Sequence, residues 1–131
     1  MNFEFPDKVM QLSARVGAFM DEHVYPLEHE YDRHVAEAGG WTTPPVLDDL
    51  KDRAKEAGLW NLFMPDARYG AGLTNLEYAP LAEIMGRVEW ASEVFNCSAP
   101  DSGNMETLAR YADDEQKRAW LDPLLAGEIR S

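Results

Sequence analysis

Two glycines separated by one residue, followed at once by a helix-start signal, constrain this chain more than any other feature. They lie in PDARYGAGLTNLEYAPLAEIMGR, residues 65–87. Pro65 and Asp66 close the apolar run Leu59, Trp60, Leu62, Phe63 and Met64, and a proline ends what precedes it. Gly70 and Gly72 can both take positive φ, which predicts a sharp turn about Ala71. Thr74 and Glu77 then have the spacing of a capping box, each side chain satisfying an N–H that the helix leaves orphaned. Leu73 and Tyr78 are placed for a hydrophobic staple across that cap. Pro80 falls inside the helix and removes one hydrogen bond, so a kink is expected between Leu76 and Pro80.

The rest of the chain repeats the helical period, with no strand alternation, internal repeat or low-complexity tract. Val9, Leu12, Val16, Phe19 and Met20 mark one face of a first helix that begins near Pro6 and Asp7. Pro26 should kink its continuation, which passes Leu27, Tyr31 and Val35 toward Gly39 and Gly40. Thr43 is read as the cap of a second helix with Pro44 at its first position. Its stripe is Val46, Leu47, Leu50, Ala54 and Ala57, and Gly58 suits its end. A short fourth helix covers residues 91–97. The loop SAPDSGN leads to a fifth helix carrying Met105, Leu108 and Tyr111. Asp113 with Gln116 opens a sixth, with Trp120, Leu121, Leu124 and Leu125 inward and Gly127 at its end. Short connections between six amphipathic segments predict an all-α, up-and-down-type bundle in one domain, residues 1–131.

Charge narrows the function. There are 24 acidic and 12 basic residues, a formal net charge of −12. Such a surface repels phosphate backbones and anionic lipid heads, which argues against nucleic acid and membrane as partners. No apolar run approaches the ~20 residues of a membrane span. Cys97 is the only cysteine, so no internal disulfide can form, and a reducing compartment, the cytoplasm, is expected. The opening MNFEFPDK has no apolar signal core.

Several groups that could carry chemistry have plainer explanations. His23, His29 and His34 lie among Glu22, Glu28, Glu30 and Asp32. They are not paired on one face and lack the Glu-x-x-His spacing of di-iron bundles, so a solvated acidic helix is expected and no metal site. Gly70 and Gly72 lack a preceding strand and a following Gly-Lys-Ser/Thr, so they form a turn and not a phosphate cradle. Trp41, Trp60, Trp90 and Trp120 are expected in the core or at domain contacts, since the basic groove of a stacking platform is missing. Cys97, in an apolar segment without a nearby histidine or lysine, is expected to be a buried, inert thiol. The run Asp101-Ser102-Gly103-Asn104 is by itself a good turn and N-cap sequence.

Three segments in order carry a resemblance: AFMDEHVYPLEHEYDR at residues 18–33, the 65–87 loop and helix, and DDEQKRAWLDPLLAGEIRS at residues 113–131. Together they resemble the N-terminal α-helical domain of the flavin-dependent acyl-CoA dehydrogenases. APDSGNMETL, residues 99–108, leans toward the subgroup similar to mammalian members ten and eleven. The likeness spans essentially the whole chain.

The resemblance implies FAD as cofactor, an acyl-CoA thioester as substrate and electron-transfer flavoprotein or a similar acceptor as partner, in a homo-oligomer. In that family a carboxylate takes the α-proton while the flavin N5 takes the β-hydride. The flavin-binding β-domain and the glutamate base belong to segments that would follow Ser131. No catalytic or cofactor-binding residue is therefore assigned here, and the chain is expected to be inactive alone, as one domain of a longer protein or a truncated reading frame. The same resemblance puts the acyl-pocket wall at residues 99–105, with Asp101, Ser102, Asn104 and Met105 as substrate-binding residues. The polar members hint at a substituted or hydroxylated acyl group. Exposed faces left by missing domains, with Trp90, Phe95 and Met105 as candidates, predict self-association. A stand-alone helical interaction module derived from such an enzyme is the alternative, separated from the first reading by the gene sequence beyond Ser131. An unrelated bundle is the third.

Overall fold

A computed structural model of the chain describes residues 4–39 and 42–131, so Gly40 and Trp41 lie outside the described residues. The regular structure among the described residues is all helical, with no strand, in six helical runs. The first comprises α1 (Asp7–Phe19), a π turn (Met20–Val24), a 3-10 turn (Tyr25–Leu27) and α2 (Glu28–Ala38). Then come α3 (Val46–Glu56), α4 (Asn75–Met85), α5 (Ala91–Val94) and α6 (Asp101–Tyr111). The last run joins α7 (Asp114–Gln116) through a second π turn (Lys117–Leu121) to α8 (Asp122–Ala126).

Local signals set most boundaries. Thr74 and Glu77 form the reciprocal capping box of α4, and Asp113 and Gln116 form that of α7. At the end of α3, the Gly58 N–H bonds the Lys55 carbonyl and the Leu59 N–H bonds that of Ala54. This six-to-one and five-to-two pattern needs a left-handed residue, supplied by Gly58 at φ +65°. Helix α4 continues through Pro80.

Each π turn ends two residues before a proline, Pro26 or Pro123. The Tyr25 N–H reaches the Met20 carbonyl, and the Asp122 N–H reaches that of Lys117, both five residues back. A proline ring collides with the carbonyl four residues before it in a regular helix. The wider turn moves that carbonyl aside, and the helical path continues past Pro123; at Pro26 it passes through the 3-10 turn, where Leu27 leaves helical geometry at φ −102° and ψ 0° before α2.

Two apolar clusters make the core. The larger gathers α1, α3, α4 and α5 through Val9, Val16, Phe19, Leu50, Leu81 and Phe95. The smaller joins Phe63, Met64, Met105, Leu121 and Leu124. Leu73 and Tyr78, the expected staple pair, both belong with the larger cluster.

Several expectations need correction. Helix α3 begins after Pro45 with no side-chain cap, so Thr43 does not cap it. Ala57 is exposed and Val46 only half-buried. Gly70 has no positive φ; only Gly72 does, at +62°. What Gly70 supplies is space, since a Cβ there would lie 2.6 Å from Met64 Cβ and collide with the Asn61 carbonyl oxygen. The fourth helix is a single turn, because Asn96 takes a left-handed φ of +55°. The DSGN residues are the first turn of α6, not a loop. Trp120 and Tyr111 are 58% and 81% exposed, whereas Phe95 and Met105 are completely buried and cannot mediate association.

Candidate functional site

Helix α6 presents one face to the small core and another to a groove. Met105 faces inward at 0% exposure, packed with Phe63, Met64, Leu121 and Leu124. Beside it, the last run and the chain end at Arg130 and Ser131 close a mostly apolar groove of about 380 Å3. Asn104, Thr107, Leu108, Trp120, Ile129 and Ser131 are among its walls. A shallower depression continues it past Leu108 and Trp120 to Tyr111. The apolar side chains Leu108, Trp120, Leu124 and Ile129 can take hydrocarbon, and Asn104, Thr107, Arg130 and Ser131 add polar groups to the wall.

The 130–131 segment is held by a buried carboxylate. Asp101 is 1% exposed. Its Oδ1 accepts from the Ser131 N–H and from the Ser131 hydroxyl, each at 2.7 Å. Its Oδ2 accepts from Arg130 Nε. Burial opposes ionisation of Asp101, yet the bonds from Ser131 and Arg130 outweigh it and hold the carboxyl below its ordinary range. The Arg130 guanidinium also pairs with Glu93, which accepts from Lys51 at 2.8 Å. This chain of charges links α3, α5, α6 and the 130–131 segment.

The predicted site residues therefore separate. Asn104 stands at the groove and donates from Nδ2 to Ser131 Oγ at 2.8 Å. Ser102 is half-buried and off the groove walls; its N–H bonds the Ser98 carbonyl. Asp101 has its carboxylate engaged within the protein, and Met105 is sealed in the core. Sequence reasoning missed Thr107, Leu108, Ile129, Arg130 and Ser131. Leu108 and Trp120 had apolar periodicity as a signal, but no local pattern marks the 130–131 segment.

A second polar centre supports the groove from behind. Asn61 and Asn96 are both buried and both left-handed, at φ +57° and +55°. The Asn96 amide donates to Asn61 Oδ1 at 2.7 Å and to the Leu124 carbonyl at 3.0 Å. The Asn61 amide and the Trp60 indole N–H both donate to the Leu125 carbonyl, at 2.9 and 2.7 Å. These side chains supply partners to carbonyls in the last turn of α8, which a helix end leaves without intrahelical donors.

Cys97 is half-buried, and desolvation pushes its thiol up to about 11, consistent with an inert thiol. Trp60 and Trp90 are half-buried, Trp90 stacking on Tyr31 with ring centroids 4.4 Å apart. Among the described residues, no group of three or more His, Cys, Asp or Glu side chains could hold a metal ion. Among them too, no helix is long and apolar enough to cross a membrane. The Gly70–Gly72 turn is occupied by its own backbone and Met64, leaving no cradle for a pyrophosphate.

Residues 6–128 match the family model described as acyl-CoA dehydrogenase, N-terminal domain. The chain belongs to the acyl-CoA dehydrogenase family. It is 55% identical over 128 residues to acyl-CoA dehydrogenase family member 10 of Mus musculus, covering 94% of this chain and 12% of that protein. To family member 11 of Gallus gallus it is 48% identical, covering 95% of this chain and 16% of the relative. A solved structure assigned as an acyl-CoA dehydrogenase from Mycobacterium abscessus superposes with a TM-score of 0.92 at 51% identity. That match covers 98% of this chain and 34% of the solved one. The chain thus spans between about an eighth and a third of these acyl-CoA dehydrogenase relatives. An unrelated bundle is no longer tenable.

Proposed function

We propose that this chain is the N-terminal helical domain of an FAD-dependent acyl-CoA dehydrogenase and that the α6 groove forms part of its acyl-pocket wall. The observation that carries the reading is a mostly apolar groove whose wall carries the hydrogen-bonded polar pair Asn104 and Ser131, in a domain of this family. In the whole enzyme the reaction is α,β-dehydrogenation of an acyl-CoA thioester. The proton-abstracting base and the flavin site lie outside this chain, so the chain alone binds no FAD and turns over no substrate. On the same reading the enzyme passes electrons to electron-transfer flavoprotein or a similar acceptor, assembles as a homo-oligomer and works in the cytoplasm.

A polar pair on a mostly greasy wall favours an acyl chain bearing a hydroxyl. A site built to hydrogen-bond a substrate group rejects the analogue lacking it far more strongly than a greasy pocket rejects a methylene. The test is kcat/KM of the full-length enzyme for a hydroxyacyl-CoA against its plain counterpart, beside a melting curve. Asn104→Leu should shift the ratio toward the plain chain with little change in melting. Ser102→Ala, off the groove walls, should leave the ratio alone. An unchanged ratio in Asn104→Leu sinks the pocket role.

A further inference from the structure

We propose that Asp101 is a positioning residue for this groove: it holds the 130–131 segment against α6 and, through the Ser131 hydroxyl, orients the Asn104 amide so that its carbonyl oxygen is the acceptor offered to a ligand hydroxyl. The inference rests on the groove reading above and adds the direction of the hydrogen bond.

The argument is one of proton placement. Asp101 is buried, and its carboxylate oxygens accept but cannot donate. The Ser131 hydroxyl has one proton and places it on Asp101 Oδ1. Its lone pairs are then what it offers to neighbours, so the group facing it at 2.8 Å must donate. Only the NH2 of Asn104 can do so. The amide is planar, and committing its nitrogen to Ser131 turns its Oδ1 the other way. The carbonyl oxygen is thereby left free of Ser131, an acceptor for the hydroxyl of an apolar molecule that enters the groove. Because Asp101 also accepts from the Ser131 N–H and Arg130 Nε, hydroxyl and backbone are held together. Charge-assisted bonds of this kind are stronger than neutral ones.

The experiment uses the full-length enzyme and two phosphate-free probes, decanoyl- and 3-hydroxydecanoyl-N-acetylcysteamine, titrated against Trp fluorescence. Hydrogen exchange at the Ser131 amide and the Arg130 Nε–H is followed by NMR. The wild type should prefer the hydroxy probe by about five- to tenfold, the worth of one hydrogen bond. Asp101→Leu should lose protection at both N–H groups and bring the preference to about one. Ser131→Ala, at an exposed position that cannot unfold the bundle, should keep the Arg130 protection and lose the preference. Retained Ser131 protection in Asp101→Leu overturns the positioning role, whatever the groove binds. A wild-type preference kept by Ser131→Ala overturns the relay. Failure of the wild type to bind either probe overturns the groove reading and with it the ligand half of the proposal, while the exchange result still decides the hold of Asp101.

Discussion

Replacing Asn96 tests whether two asparagines hold the end of α8 to the core. In Asn96→Ala, Asn61 Oδ1 loses the donor at 2.7 Å, and the Leu124 carbonyl loses one of two, keeping the Gly127 N–H at 3.1 Å. A buried acceptor left without a partner costs about 1–3 kcal/mol, and an ordinary lost bond about 1 kcal/mol. Alanine must also adopt φ +55°, where a Cβ costs about 1–2 kcal/mol. These give a destabilisation of about 4 kcal/mol. At about 4 °C per kcal/mol for a chain of this size, the melting temperature should fall by about 15 °C. Asn96→Gly loses the same bonds but relieves the left-handed strain. Glycine's extra freedom in the unfolded chain takes back about 0.5–1 kcal/mol, so it should exceed alanine by no more than about 1 kcal/mol. Urea unfolding followed by Trp fluorescence, with the slope m checked for constancy, measures both. A loss below about 1 kcal/mol in Asn96→Ala would refute the bonding argument. A glycine variant weaker than alanine would refute the backbone one.

Glycine positions make a second contrast: Gly70→Ala should cost about 1–3 kcal/mol because its Cβ meets Met64, the usual range for overpacking. Gly17→Ala in α1, with nothing within 4 Å, should stabilise by about 0.5–1 kcal/mol, read from denaturation midpoints. Cys97, its thiol at about 11, should react with a thiol-specific disulfide reagent at pH 8 far more slowly in the folded chain than in urea. Asp66 is held down to about 2, first by the side-chain hydrogen bond from Arg68, so its carboxyl carbon should titrate near 2 by NMR and return toward 3.8 in Arg68→Ala. The sign follows: its folded value is depressed, so its contribution to stability is present above 3.8 and is lost as pH falls toward 2.

What could be read from sequence was what neighbours decide. Thr74 with Glu77 and Asp113 with Gln116 settle their own helix starts within four residues, and the structure shows both boxes. Gly58 and Gly127 end helices for an equally local reason. The candidate site was legible only in part, because its decisive bonds are distant in sequence. Asp101 looked like an N-cap, but its partners lie 29 and 30 residues on, at Arg130 and Ser131. The sequence pattern singled out neither Asn61 nor Asn96, whose left-handed backbones accompany an amide pair 35 residues apart. Trp120 was placed inward by a 3.6-residue period that a π turn does not obey. The turn is wider, so a residue adjacent to Leu121 stands at the groove instead.

The two π turns have a meaning for how such a chain can change. One residue added to a regular helix turns everything beyond it by about 100°, which would carry a buried stripe to solvent. A π turn takes up one extra residue within itself and leaves the following helix in phase. Among the described residues, 20–24 and 117–121 are therefore the two places inside a helical run where a residue can be removed without rotating the helix that follows. The prolines at 26 and 123 work against the return to a regular helix, since closing either turn would drive the ring back onto a carbonyl. A one-residue deletion in either turn should then be tolerated only together with loss of its proline.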